Sequence, residues 1–314
     1  MRSRILLCGI STAALLAATT ACSSSKSAGG SSGSMGDELK GASFTVSSKD
    51  FTESILLGKI TEYLLQAHGA SFTDKTDIKG SVNTRDALTA GQVDMYWEYT
   101  GTAWITYLKN TKPIADPNAQ FQAVKSADAA NGIAWLNPAP MNDTYALATR
   151  AGEADKLGVH SLSDLAKLSP SDATYCIESE FSTRDDGFPG MTKAYGLTAG
   201  KDQIKMLDTG VIYTETAKGG TCNFGEVFAT DGRISALKLT VLKDDKNFFP
   251  NYNASLTLKQ SLLTKYPAIA TIVDPVAAKL DDAAMTELNA EVDAQGLPAD
   301  QVAKDWLKQN GFIK

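Results

Sequence analysis

The chain has 314 residues, 43% of them hydrophobic, enough to bury the cores of two domains of ordinary size. Its 36 Asp and Glu against 30 Lys and Arg give a formal charge of −6, a poor electrostatic match to nucleic acid. Its two histidines are far apart and there is no Cys/His cluster, so neither a metal site nor a cofactor is expected.

Residues 1–21 read as a secretory signal. Arg2 and Arg4 make a positive start, and 5–18 is an apolar run too short to span a bilayer comfortably. Thr19-Thr20-Ala21-Cys22 resembles a bacterial lipobox, with Thr19 where Leu is usual. Cys22 would then be lipidated and become the mature N-terminus; plain secretion with a leftover cysteine is the alternative. The Ser/Gly-rich segment 22–40 reads as a flexible tether. Cys8 leaves with the signal, so Cys176 and Cys222 are the two cysteines of the folded part. In an exported protein they most simply form a disulfide, against two buried free thiols.

The folded part opens with a short strand at 44–47. Asp50 and Glu53 read as a capping pair before a helix whose apolar positions are Ile55, Leu56, Ile60, Tyr63 and Leu64, with Gly69 as its stop. A strand follows at 71–78, then a short helix opened by Asn83 and Asp86 and ended at Gly91, then strands at 93–96, 133–136 and 144–148. The pattern begins again after Arg150: a short helix at 161–168 with Ser161 and Asp164 at its start, a strand at 173–177, at most a brief helix at 192–195, and a strand at 237–242. From Gln260 onward the chain reads as mainly helical, with Pro267 and Pro298 placed in first turns. The alternation predicts an α/β protein with mostly parallel pairing, built as two successive units.

Five clusters carry the chemistry. The densest is 94–102, where Tyr96, Trp97 and Tyr99 stand with Asp94 and Glu98 beside Thr100-Gly101-Thr102. Rings with acids suit an organic cation, because a ring face attracts a cation and a carboxylate balances it. Lys49, at a strand–helix junction, suits an anion; a surface lysine is the plainer reading. Asp143 and Tyr145 share one strand face, or else form an Asx turn before a core tyrosine. Arg184 can grip a carboxylate in bidentate fashion, or pair with its neighbours Asp185 or Asp186. Phe228 and Tyr252 are rings beside turns. No Gly-x-Ser-x-Gly elbow is present, and adjacent acids such as Glu178 and Glu180 are common on surfaces.

Taken in order, Ser48-Lys49-Asp50-Phe51-Thr52-Glu53, Glu98-Tyr99-Thr100-Gly101-Thr102, Asn142-Asp143-Thr144-Tyr145, Arg184-Asp185-Asp186-Gly187, Thr230-Asp231-Gly232-Arg233 and Phe249-Pro250-Asn251-Tyr252 resemble the substrate-binding proteins of ABC importers for glycine betaine, choline and related quaternary amines. The resemblance runs from about Phe44 to the C-terminus. It implies a two-lobed periplasmic-binding-protein (type II) fold with the ligand cleft between lobes. Lobe one would be 41–146 plus 251–314, and lobe two 147–250. It also implies that Tyr99, Tyr145, Tyr252 and Phe228 form the cation cage with Asp143, and that Lys49, Thr102 and Arg184 meet a carboxylate. Phe228 stands where the family often has tyrosine. Tyr96, Trp97, Asp94 and Glu98 are then support.

The expected function is a solute-binding component of an ABC transporter, a monomer held by its lipid on the outer face of the cell membrane. It would deliver a quaternary ammonium ligand to a membrane permease without catalysis. Choline would leave two buried cations underused, which favours a betaine. The competing reading is an exported hydrolase of a choline-containing or sugar substrate, working through paired acids.

Overall fold

The computed structural model describes residues 35–314. The expected signal, the Cys22 lipidation site and the Ser/Gly run up to residue 34 lie outside the described residues. The rest of the expected tether is folded rather than loose: Leu39 is buried, and its N–H donates to the His68 carbonyl at 2.9 Å.

Among the described residues ten strands form two sheets: β1 (Ser43–Lys49), β2 (Ser71–Ile78), β3 (Met95–Tyr99), β4 (Ile133–Trp135), β5 (Tyr145–Thr149), β6 (Tyr175–Ile177), β7 (Ile204–Met206), β8 (Phe224–Phe228), β9 (Thr240–Val241) and β10 (Ala254–Lys259). The first sheet runs β2-β1-β3-β10-β4 and the second β7-β6-β8-β5-β9. The chain is thus a mixed α/β protein of two lobes, each built to the same plan. In each sheet three strands pair in parallel, as helical crossovers allow. The other two pairings are antiparallel. The expectation of mostly parallel pairing is corrected here. β5 is where the chain enters the second sheet and β10 is where it returns to the first, and both run against their neighbours.

The outgoing and returning segments between sheets are bonded side by side. The Tyr252 N–H donates to Asn142 Oδ1 at 2.7 Å, and the Asn253 amide donates to the Met141 carbonyl at 2.7 Å. Tyr145 and Ala146 already belong to β5, so the sheet change falls slightly before the expected boundary at 147.

Sequence patterns explain the core. Leu56, Ile60 and Leu64 on the helix Thr52–Ala67 pack against Val46, Met95, Trp97, Leu256 and Leu258. In the second lobe Leu147, Tyr175, Phe181, Met191 and Phe224 form the corresponding core. Burying such side chains stabilises each lobe by roughly 1.5–3 kcal/mol per residue.

Several local expectations change. The capping pair of Asp50 and Glu53 does not form. Asp50 Oδ1 accepts from Gly80 N at 3.1 Å, and Glu53 turns inward, because bonds across elements outcompete the local cap. The second helix begins at Ser81 rather than Asn83, and Gly91 closes it in the left-handed region at φ 74. The short helix Leu162–Lys167 does carry the Ser161–Asp164 capping box. The brief helix at 192–195 is longer, Phe188–Tyr195, with Pro189 in its first turn. The strand expected at 237–242 shrinks to Thr240–Val241, because Lys238 sits at φ 54.

Candidate functional site

Between the lobes lies a cavity of about 100 Å³. All eight residues singled out from sequence as ligand contacts line it: Lys49, Tyr99, Thr102, Asp143, Tyr145, Arg184, Phe228 and Tyr252. Strand ends bring them there. Lys49 ends β1, Tyr99 ends β3, Phe228 ends β8 and Tyr145 begins β5. Asp143 lies on the outgoing segment and Tyr252 on the returning one.

The rings form a continuous wall. Tyr99 and Phe51 have centroids 5.7 Å apart, Phe51 and Phe228 5.2 Å, Phe228 and Tyr145 5.3 Å, and Tyr145 and Tyr252 5.3 Å. Phe51 was missed as a cage ring, although it stands in a run already singled out. Nothing in the sequence says that its ring turns toward the cleft. Burial raises the Tyr99, Tyr145 and Tyr252 phenols well above the ordinary tyrosine range, so the walls are neutral rings.

Each phenol is oriented by a carboxylate or left to the rings. The Tyr99 hydroxyl donates to Glu53 Oε1 at 3.0 Å and the Tyr252 hydroxyl to Asp186 Oδ2 at 2.7 Å. Tyr145 is fixed by rings instead, with Phe181 at 4.7 Å. Gly101 backs Tyr252 closely. A Cβ on it would lie 2.7 Å from the ring and 2.8 Å from the Asn251 carbonyl oxygen, so the turn 100–102 admits no side chain there.

The two buried cations already hold partners. Lys49 Nζ donates to Glu98 Oε1 at 2.6 Å and lies 4.9 Å from the Tyr99 ring centroid. Arg184 donates from Nε to Asp186 Oδ1 at 2.7 Å, from Nη1 to Glu180 Oε1 at 2.7 Å, and from Nη2 to Thr102 Oγ1 at 3.3 Å. Its guanidinium carbon is 5.6 Å from the Tyr145 centroid. Of the two neighbours weighed from sequence, Asp186 is the partner. Against the effect of burial, the Arg184 and Lys49 charges hold the Glu180 carboxyl at about 2. The argument that choline would strand two cations therefore fails, since both are neutralised within the chain. Asp50, Glu178 and Glu180 also line the cavity, against Lys49, Lys79 and Arg184, with Asp143 beside them.

Sequence reasoning named none of Glu98, Glu180, Asp186, Glu53 and Thr230 as ligand-site residues; Glu98, Glu53 and Thr230 act through partners far along the chain, whereas Glu180 and Asp186 hold Arg184 from four and two residues away. Glu98 also accepts from the Tyr96 hydroxyl at 2.6 Å and the Tyr107 hydroxyl at 2.9 Å. Trp97 donates to Thr61 Oγ1 at 2.8 Å, and Asp94 accepts from Thr45 N at 2.7 Å. Tyr96, Trp97, Asp94 and Glu98 thus support the strands and Lys49 from outside the cavity lining. Cys176 on β6 and Cys222 just before β8 form a disulfide with Cα atoms 5.7 Å apart. Among the described residues no group of three His, Cys, Asp or Glu could hold a metal ion, and no helix is long and apolar enough to cross a membrane.

The family model for the substrate-binding domain of ABC-type glycine betaine transport systems matches residues 42–309. A glycine-betaine-binding protein of Pseudomonas aeruginosa is 38% identical over 276 residues, covering 85% of this chain and 88% of that one. The glycine betaine-binding protein YehZ of Escherichia coli is 36% identical over 278 residues, covering 86% and 91%. The crystal structure of a glycine betaine/carnitine/choline ABC transporter protein, 27% identical, superposes with a TM-score of 0.70 over 86% of this chain and 98% of that one.

Proposed function

The chain belongs to the substrate-binding domain family of ABC-type glycine betaine transport systems, and from that premise we propose that it captures a quaternary ammonium compound, glycine betaine foremost, and hands it to a membrane permease. Proteins of this family act outside the cytoplasm beside such a permease. The observation that carries the ligand class is the wall of Tyr99, Phe51, Phe228, Tyr145 and Tyr252 around one cavity that Asp143 also lines.

A trimethylammonium group has no N–H to donate, so hydrogen bonds cannot select it. Ring faces can, at roughly 0.5–2 kcal/mol per contact. A betaine carboxylate would be met by Arg184, Lys49 and Thr102, with the two cations shared between ligand and chain carboxylates. Because those cations are already paired, the preference for betaine over choline rests on the relatives rather than on stranded charge. Proline betaine, carnitine and choline belong to the same ligand class.

The mechanism is binding without chemistry. The two lobes, divided near 147 and 250, close on the ligand by a hinge at the paired crossing segments. Cys22 would carry the lipid that holds a monomer at the outer face of the membrane. The acids that the hydrolase reading would use are engaged elsewhere: Glu180 accepts from Arg184 Nη1 at 2.7 Å and Glu178 from Ser179 Oγ at 2.7 Å.

Calorimetry with glycine betaine, proline betaine, carnitine and choline tests this. Glycine betaine should bind tightest, and Arg184→Ala should weaken it more than it weakens choline. If choline binds tightest and Arg184→Ala leaves betaine affinity unchanged, the carboxylate assignment is wrong. If no quaternary amine binds, the cage reading itself fails. Turnover of a choline ester would favour the hydrolase.

A further inference from the structure

Behind the ring wall lies a buried polar cluster that capture of a cation does not require. Glu53 comes from the helix Thr52–Ala67 of the first lobe. Asp143 sits on the outgoing segment, and Thr230 follows β8 in the second lobe. They are 3%, 5% and 1% exposed. The single Thr230 hydroxyl touches both acids, Asp143 Oδ1 at 2.6 Å and Glu53 Oε2 closer still.

A hydroxyl has one hydrogen to give. It satisfies one carboxylate. The second contact is a hydrogen bond only if that carboxyl carries a proton and donates to the threonine oxygen. The other neighbours are all donors already in use toward these acids. Tyr99 OH reaches Glu53 Oε1 at 3.0 Å, the Asn289 amide reaches Glu53 Oε2 at 3.1 Å, and Thr230 N reaches Asp143 Oδ1 at 3.3 Å.

We propose that Glu53 and Asp143 share one proton through Thr230, and that this proton ties the two lobes together and positions Tyr99 and Asp143 at the cage wall. Glu53 acts here as a positioning residue, since rings stand between it and the cavity. The charges facing the pair offer no substitute for the proton. Asp231 is bound to Arg233, which also reaches Asp293 at 3.4 Å, and Lys49 is taken by Glu98. Among the described residues no Lys or Arg pairs with either acid of the cluster.

Burial raises both carboxyls above the ordinary range, and the Glu53 charge raises Asp143 further. The proton is therefore present at ordinary carboxylate pKa values and is lost only at higher pH. Its loss sets two negative charges against one hydroxyl in a poorly screened site and removes a bond between lobes. Ligand affinity should then fall as pH rises.

The inference borrows only its affinity readout from the proposed cage, and a ligand-free measurement keeps the two separable. In an E226Q background, which removes another buried acid, infrared spectra of the ligand-free protein should show a protonated carboxyl band. The component of that band that E53Q with D143N removes, beyond any from Glu62 and Asp293, should fade as pH is raised above the ordinary carboxylate range. Glycine betaine affinity should fall about tenfold over the same range in the wild-type protein. E53Q removes the titrating carboxyl, so whatever its affinity at low pH it should show a flat profile. T230V, which keeps the shape without the hydroxyl, should weaken binding at low pH and also flatten the profile. Absence of that infrared component, a wild-type affinity that stays level or rises with pH, or an E53Q protein with the wild-type slope would each overturn the shared proton. Failure of every quaternary amine to bind, with that component present, would overturn the cage reading and leave the proton standing.

Discussion

The Tyr252 hydroxyl donates to Asp186 Oδ2 at 2.7 Å, and that same carboxylate grips Arg184 through two guanidinium nitrogens. One acid of the second lobe therefore fixes both a ring from the returning segment and the cation assigned to the ligand's carboxylate. Tyr252→Phe keeps the ring and removes the donor. It should weaken glycine betaine binding by about twofold to tenfold, a fraction of the worth of one hydrogen bond to a charged group, with the rest of that loss falling on the melting temperature. Calorimetry should separate it from Tyr252→Ala, which ought to lose much more; equal losses would mean that the ring face contributes nothing.

Tyr145 stands at the centre of the wall, within ring contact of Phe181, Phe228, Phe249 and Tyr252. Tyr145→Phe should bind nearly as well as wild type, because the face and not the hydroxyl meets the cation. Tyr145→Leu keeps apolar bulk without the face and should cost about twofold to thirtyfold in affinity. A Leu variant that binds as the Phe variant does would show that the pocket selects by shape alone.

Much of the fold and site was legible because the informative residues sit at strand ends, where local pattern and function coincide. Ser161 with Asp164 announced their capping box, and Lys49, Tyr99, Tyr145 and Phe228 each mark the limit of a strand. What stayed hidden depends on partners far along the chain. Ala254, Leu256 and Leu258 alternate as a strand should, yet the sequence reading assigns no element to this run before the helical stretch from Gln260. Only its pairing with β3 and β4 reveals the antiparallel return. Likewise no local signal gives Lys49 to Glu98 or turns Glu53 inward toward Thr230. These are choices among donors and acceptors that only the folded arrangement makes.

The disulfide lies wholly within the second lobe, joining β6 to the approach of β8 across a sequence separation of 46. Reduction should lower the melting temperature, since such a closure typically contributes about 2–4 kcal/mol. It should leave ligand affinity largely intact, because the bridge does not span the cleft. A large affinity loss at unchanged melting temperature would contradict this placement.

Glu226 on β8 is buried, and its Oε2 accepts from Glu178 N at 2.7 Å. Burial, reinforced by the Glu178 charge, pushes its carboxyl from the ordinary 4.5 up to about 8. Between those values the folded chain holds a proton that the unfolded chain has released, so stability falls as pH rises. The effect is at most about 1.4 kcal/mol per pH unit, and it is complete above pH 8. Denaturant unfolding of Glu226→Gln should lack this component between pH 4.5 and 8 and be the more stable protein at the upper end. Parallel profiles for the two proteins would show that Glu226 ionises normally.

The space behind Tyr252 at Gly101 gives the cage a rear stop made of bare backbone. The calibre of the opening is thus set by a missing methyl group outside the cavity, not by anything the ligand touches. Gly101→Ala would drive a methyl group against both the Tyr252 ring and the Asn251 carbonyl oxygen, so the ring would have to leave its place. One bare backbone position in the second layer therefore holds a ring of the wall where it stands.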